Sequence, residues 1–414
     1  MAAGTLNAAQ LVGACLARIR EREPQVQAWQ SLDEAYALEQ ARACDAQRAS
    51  GYAIGPLHGV PVGIKDIIDT ADMPTENGSQ LHAGRRPARD AAVVAMLRAA
   101  GAVILGKTVS TEFATYAAGK TRNPHDPTRT PGGSSSGSAA AVAAGMVPLA
   151  IGTQSNASII RPAAFCGVYG FKPSFGSIPR DGILALSPSL DTVGVFARCL
   201  DDIALIAATL TDLPLAPTLN SEPPAPPRLA FVKTPVWDRC DESTRAAFAT
   251  LCAALGTQCE EVALPGLTIE AWDWHKTIME AEMAAKLDHE WTMGRDQLSP
   301  SLREQLARGR EIRALDYQQA LAQVPRLRES LAALFTDFDA ILTPATRGTA
   351  PPLATTGDPA FGTLWTLTGV PSLSLPLLHG DDGLPLGVQL VGAHGDDARL
   401  LRTARWLQTR LQSG

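Results

Sequence analysis

Apolar positions along the first 210 residues switch repeatedly between two periods. After Asn7, which fits a helix N-cap, Val12, Cys15, Leu16 and Ile19 recur at helical spacing. Gly59–Ile68 is an apolar run of strand length. Val93, Met96, Leu97 and Ala100 then fall at i, i+3, i+4 and i+7, one face of a helix. Ala102–Gly106 predicts a buried strand, Ala139–Gly145 a small-residue helix and Pro148–Thr153 a further strand. Such strand–helix alternation predicts an α/β fold, with a mixed or largely parallel central sheet covered by helices on both faces.

The second half continues the same layer after an interruption. Residues 213–227 hold six prolines among small and polar side chains, the composition of a surface connection. Residues 268–335 are helical in pattern and carry Trp272, Trp274, Met279, Met283 and Trp291. Helix core is the plain expectation for these side chains, a substrate lid the sharper one. Asp339–Pro344 and Gly387–Val391 are again strand-like, so the C-terminal part is expected to rejoin the first sheet. Residues 1–414 are expected to form a single domain.

Composition narrows the function classes. With 45% hydrophobic and 19% charged residues, the chain has the make-up of a soluble globular protein, and no 18-residue apolar run marks a membrane span. The 36 Lys+Arg against 42 Asp+Glu leave a net charge of −6, so neither nucleic acid nor an anionic membrane is an expected partner. The N-terminus shows no signal-peptide core, and the cytoplasm is the expected compartment. Cysteines 15, 44, 166, 199, 240, 252 and 259 are scattered without a CxxC pair, which predicts buried free thiols rather than a disulfide framework. The seven histidines are dispersed too; His275 and His289 lie 14 apart, and no metal or other cofactor is expected.

Three segments carry chemistry. Gly63-Ile64-Lys65-Asp66 sets a lysine inside an apolar strand. A buried lysine without a nearby carboxylate loses hydration of its charged form and becomes a base near neutral pH. Asp66 adjoins it, although strand neighbours point to opposite faces, and a snorkelling or ion-paired Lys65 is the alternative. Pro131-Gly132-Gly133-Ser134-Ser135-Ser136-Gly137-Ser138 leads into a helix. It lacks the lysine of a nucleotide P-loop, and a tight turn of this kind gathers hydroxyls and N–H groups at one point. Gly152-Thr153-Gln154-Ser155-Asn156-Ala157-Ser158 follows a strand, where a serine is readily presented as a nucleophile beside N–H groups for an oxyanion. No GxSxG elbow or nearby histidine supports a Ser–His–Asp triad.

Together these segments resemble the amidase-signature family, whose machinery is a Ser–cis-Ser–Lys triad. The likeness covers Gly55–Thr70, Ala102–Phe113, Thr130–Gly145, Gly152–Ser174, Ile341–Pro344, Trp365–Pro376 and Leu384–Val391. It implies Ser158 as the acylated nucleophile, Ser134 as the bridging serine at a non-proline cis peptide, and Lys65 as the terminal base. The oxyanion hole falls on the N–H groups of Ser155, Asn156 and Ala157. Here the chain departs from the family, which has two glycines where this sequence has Asn156 and Ala157. A hole of altered geometry, a narrowed pocket and a weakened enzyme are the three readings of that change, and the Asn156 amide is itself a candidate donor.

Arg161 stands three residues after Ser158 and directly before Pro162, an arrangement similar to malonamidase-like members, in which the arginine holds a substrate carboxylate. The expected activity is hydrolysis of a small linear amide, a malonamate-like half-amide first. A structural Arg161 tied to backbone carbonyls shifts the expectation to a broad-range amidase, esterase or carbamate (urethane) hydrolase. A glutaminase-type subunit of an amidotransferase and an amide-binding pseudoenzyme are further alternatives. The resemblance also implies a homodimer.

Overall fold

A computed structural model describes residues 5–223 and 225–412. Its strands are β1 (Trp29–Leu32), β2 (Pro61–Lys65), β3 (Val103–Thr108), β4 (Leu149–Gln154), β5 (Tyr169–Lys172), β6 (Thr192–Ala197), β7 (Leu229–Phe231), β8 (Cys259–Glu261), β9 (Ala340–Pro344), β10 (Ser372–His379) and β11 (Pro385–Val391). They form one sheet in the order β1-β3-β2-β4-β6-β5-β10-β11-β9-β7-β8. The sheet is mixed. β2 runs parallel to β3 and β4, and β7 parallel to β8 and β9, while β4–β6, β5–β6, β5–β10, β10–β11 and β9–β11 are antiparallel. The C-terminal strands enter through β10, which pairs with β5.

Both faces are covered, and the strand alternation shows it. Ile104, Leu149, Ile151, Val193 and Val195 belong to one apolar core, which includes Ile203 and Ile206 of the helix Leu200–Leu210. Their neighbours Val103, Leu105, Ala150 and Phe196 face a second core with Ala139–Val142 and the helix Ala8–Val26. Successive side chains on a strand point to opposite faces, so strands covered on both sides are apolar at every position. That is why the central strands appear in sequence as unbroken apolar runs.

The Pro-rich stretch is more ordered than its composition suggests. Leu215–Leu219 is a short helix whose two leucines are buried against Leu200–Leu210 and Asp397–Gln412. Pro214 and Pro217 lie at its start, where a missing N–H costs little. The region 268–335 resolves into the helices Ala271–Lys286, Asp288–Gly294, Pro300–Glu311 and Ala314–Ala332. Among the described residues no helix is long and apolar enough to cross a membrane.

Candidate active site

Lys65 ends β2 and is fully buried. A register shift in β3 puts Lys107 on the opposite face from it. Val62 pairs with Ile104 but Gly63 pairs with Gly106, so one residue of β3 is skipped and the parity of β3 reverses. Lys107 therefore lies level with Ile64, while Lys65 shares the other face with Thr108. Lys107 sits 3.9 Å from Asp66 and donates to the Ile68 carbonyl at 2.6 Å and to Thr75 Oγ1 at 2.5 Å. The carboxylate adjoining Lys65 in sequence is thus engaged by another lysine.

Lys65 Nζ donates to Ser134 Oγ at 2.7 Å and to Thr153 Oγ1 at 2.9 Å. Burial pushes its pKa down to about 7, opposed by the charge of Asp191. An amine near its pKa at neutral pH can keep donating to Thr153 while accepting a proton from Ser134.

The serine-rich loop is stitched to the sheet by its own hydroxyls. Ser135 Oγ accepts from the Thr153 N–H at 3.2 Å and donates to the Thr153 carbonyl at 3.1 Å. Ser138 Oγ donates to the Ile151 carbonyl at 2.9 Å. Gly137 lets the helix Ser136–Ala143 start against β3: a Cβ there would stand 2.3 Å from the Val109 nitrogen. These contacts hold Ser134, whose peptide bond with Gly133 is cis, against Lys65. The Ser135 N–H donates to the Ser158 carbonyl at 3.4 Å and ties the loop to the turn that carries the second serine.

That turn is organised by Gln154, the last residue of β4. Its Oε1 accepts the N–H groups of Ile159 at 2.9 Å and Ile160 at 3.1 Å, and its Nε2 donates to Thr366 Oγ1 at 2.9 Å. The helix Ile160–Cys166 begins from this support. Among the described residues, the backbone N–H groups of Ser155, Asn156 and Ala157 find no acceptor in the protein. Ala157 holds φ at +60°, in the left-handed region that glycine occupies most easily. The Asn156 side chain is committed elsewhere. Its Nδ2 donates to Tyr116 Oη at 2.9 Å and its Oδ1 accepts from Thr363 Oγ1 at 2.8 Å.

Arg161 is fully buried. Nη2 donates to the Gly133 carbonyl at 2.6 Å, the carbonyl of the peptide leading into Ser134, and lies 3.5 Å from Thr356 Oγ1. Nε and Nη1 have no partner among the described residues. Burial lowers its pKa to about 10, opposed by Tyr116 and Asp358. The residue thus has one backbone tie and two unpaired donors.

Three cavities meet here. The one that touches Ser158 has about 10 Å³, room for roughly one water. It shares Ala114, Ser155 and Leu186 with a chamber of about 340 Å³ that reaches Arg180 and Asp191. It shares Tyr116, Asn156 and Met279 with another of about 440 Å³ that reaches Lys276, Thr356 and Asp358. Met279 and Met283 of the helix Ala271–Lys286 line the constriction, and Trp272 of that helix lines the larger chamber while donating to the Ala360 carbonyl at 3.0 Å. Buried helix residues and cavity wall are here the same side chains.

Sequence reasoning missed three supporting residues. Asp191 accepts from Ser155 Oγ at 2.5 Å and from the N–H groups of Leu186 and Ser187, both at 2.9 Å. Burial raises its carboxyl to about 6 despite those donors. His275 Nε2 lies 2.8 Å from the Ser155 carbonyl; burial pushes its pKa down to about 4, so a neutral ring donates there. Tyr116 bridges Asn156 to the Met279 sulfur, 3.9 Å away. Each comes from far along the chain, and none stands in a recognisable local pattern.

A buried lysine hydrogen-bonded to a serine at a glycine-rich turn, beside a strand-to-helix serine with free N–H groups, defines an amide-hydrolase type of site on a mixed α/β fold. The sequence profile of the Amidase family matches residues 10–401, and the chain belongs to this family, the amidase-signature enzymes. It is a hydrolase acting on amide C–N bonds. Over 97% of this chain and 93% of the relative, it is 36% identical to a Glu-tRNA(Gln) amidotransferase subunit from Chloroflexus aggregans. The peptide amidase of Stenotrophomonas maltophilia superposes with a TM-score of 0.86 at 30% identity, over 99% of this chain and 95% of that one. A chain of an inhibitor-bound vestigial protein complex, described as revealing the origins of an s-triazine catabolic enzyme, superposes with a TM-score of 0.92 at 28% identity, over 98% and 96%.

Proposed function

We propose that Ser158 is the nucleophile of an acyl-enzyme mechanism, with Ser134 as relay and Lys65 as base. The observation that carries this reading is the 2.7 Å bond between Lys65 Nζ and Ser134 Oγ in a fully buried site, at a lysine whose pKa falls to about 7. Neutral Lys65 takes the Ser134 proton as Ser134 takes that of Ser158. The Ser158 oxygen attacks the amide carbonyl, and the N–H groups of Ser155, Asn156 and Ala157 receive the oxyanion. The relay then returns the proton to the nitrogen, the amine leaves, and water repeats the sequence on the ester.

The substrate we infer is a small amide bearing its own carboxylate, of which a malonamate-like half-amide is the simplest. Support comes from Arg161, whose buried Nε and Nη1 lack partners while Nη2 holds Gly133. An unpaired buried donor costs about 1–3 kcal/mol, more for a charged group, and a substrate carboxylate accepting from Nε or Nη1 would relieve part of it. Glutamine is also such an amide. A second reading, a glutaminase-type subunit working with a partner, is favoured by the amidotransferase names of the curated relatives, which lend the half-amide preference no support. The homodimer implied by the resemblance gives way to a partner subunit in that reading.

The test is hydrolysis of malonamate, glutamine and a neutral aryl amide, with Ser158→Ala as blank. Preference for either carboxylated amide supports Arg161 as a binding residue, and glutamine turnover that rises in the presence of a co-purifying protein selects the second reading. Preference for the aryl amide makes Arg161 a purely structural residue.

A further inference from the structure

The last strand of the sheet carries a feature unrelated to amide chemistry. Cys252 lies on the helix Glu242–Leu255 and Cys259 opens β8, with the short turn Gly256–Gln258 between them. The Cys259 thiol donates to Cys252 Sγ across 3.7 Å. Both side chains are half-buried, and together with Lys233, Trp237, Arg245 and Glu261 they line a surface cavity of about 470 Å³. Cys15, Cys166 and Cys240, by contrast, are buried.

We propose that Cys252 and Cys259 form a reversible thiol–disulfide site that reacts with small disulfides entering this cavity. The geometry asks for little: bringing the sulfurs from 3.7 Å to bonding distance needs an approach of about 1.7 Å. The roles of the two thiols differ. The hydrogen bond from Cys259 lowers the Cys252 thiol, with help from Lys233, and the same bond together with burial raises Cys259. Cys252 is therefore the attacking sulfur.

In the first step the Cys252 thiolate bonds to one sulfur of the small disulfide, whose S–S bond breaks to release one thiolate. Cys259 then loses its proton and attacks Cys252 Sγ, and the mixed disulfide breaks to release the second. Two protein thiols and one small disulfide become one protein disulfide and two small thiols. The product fastens the helix Glu242–Leu255 to β8, which among the described residues is an edge strand paired with β7 alone.

The experiment incubates the reduced, folded protein with glutathione disulfide, alkylates remaining thiols and maps the peptides by mass. Residues 246–276 form one tryptic fragment with Cys252 and Cys259 as its only cysteines. The expected result is a fragment about 2 Da lighter that no longer takes alkylating agent, reversed by a dithiol reductant. In Cys259→Ser, glutathione should remain attached at Cys252, because the resolving thiol is gone. Should that variant misfold, the wild-type map decides alone. A persistent glutathione adduct on either cysteine of the wild type, or a fragment still fully alkylated while the denatured protein oxidises, overturns the proposal.

Discussion

The methyl group of Ala157 occupies the notch left by Gly362: a Cβ built on Gly362 would lie 2.5 Å from the Ala157 Cβ. The helix Ala360–Leu367 therefore accommodates the Ala157 side chain. Gly362→Ala should push Ala157 and its N–H out of line. Loss of one oxyanion donor costs about 10²–10³ in kcat, so a fall of that order with little change in KM is expected. Steady-state kinetics of Gly362→Ala and of Gly362→Ala with Ala157→Gly check this. The second glycine should restore most of the rate.

With Lys65 as the proposed base, the lysine should set the pH profile. Its protonated form cannot accept from Ser134, so kcat/KM should rise with pH through an apparent pKa near 7 and then level. Asp191 helps keep the proton on Lys65. Asp191→Asn should move the rising limb to lower pH while also lowering kcat, since one amide oxygen cannot accept from both Ser155 Oγ and the Leu186 and Ser187 N–H groups. A pH–rate profile of the two proteins provides the check, and an alkaline shift would count against this arrangement.

Arg161 separates binding from support. Arg161→Lys should raise KM for a carboxylated amide by about 10–100-fold, the worth of a charged hydrogen-bond pair. KM for a neutral amide should barely change, whereas kcat for both falls insofar as the Gly133 carbonyl loses its donor. Measuring the two substrates side by side distinguishes the contributions.

Stability should increase between pH 7 and 8.5. Lys65 and Lys172 titrate near 7 in the folded protein and Lys107 near 8, all lowered by burial from 10.5. In that window the unfolded chain binds more protons than the folded one, so the unfolding free energy climbs with pH. Denaturant titrations at pH 7 and 8.5 read this directly.

What the sequence disclosed follows a physical rule. Lys65, Ser134 and Ser158 stand in glycine-bounded segments whose composition departs from ordinary strand or helix, so each was visible locally. Asp66 beside Lys65 obscured the lysine's role, because the β3 register shift that hands Asp66 to Lys107 lies outside the segment. Asp191 and His275 converge on Ser155 from 36 and 120 positions away, and nothing short of the fold brings them together. The buried Leu215 and Leu219 show the reverse case, in which proline content concealed a helix that tertiary packing stabilises.

The central claim is that Ser158, driven by Lys65 through Ser134, becomes acylated. The direct measurement is covalent labelling with a serine-reactive fluorophosphonate, read by intact mass and peptide mapping. One label on Ser158, absent in Ser158→Ala and slowed at least ~10²-fold in Lys65→Ala, is the predicted result. A label on another serine, or undiminished turnover in Ser158→Ala, would contradict it.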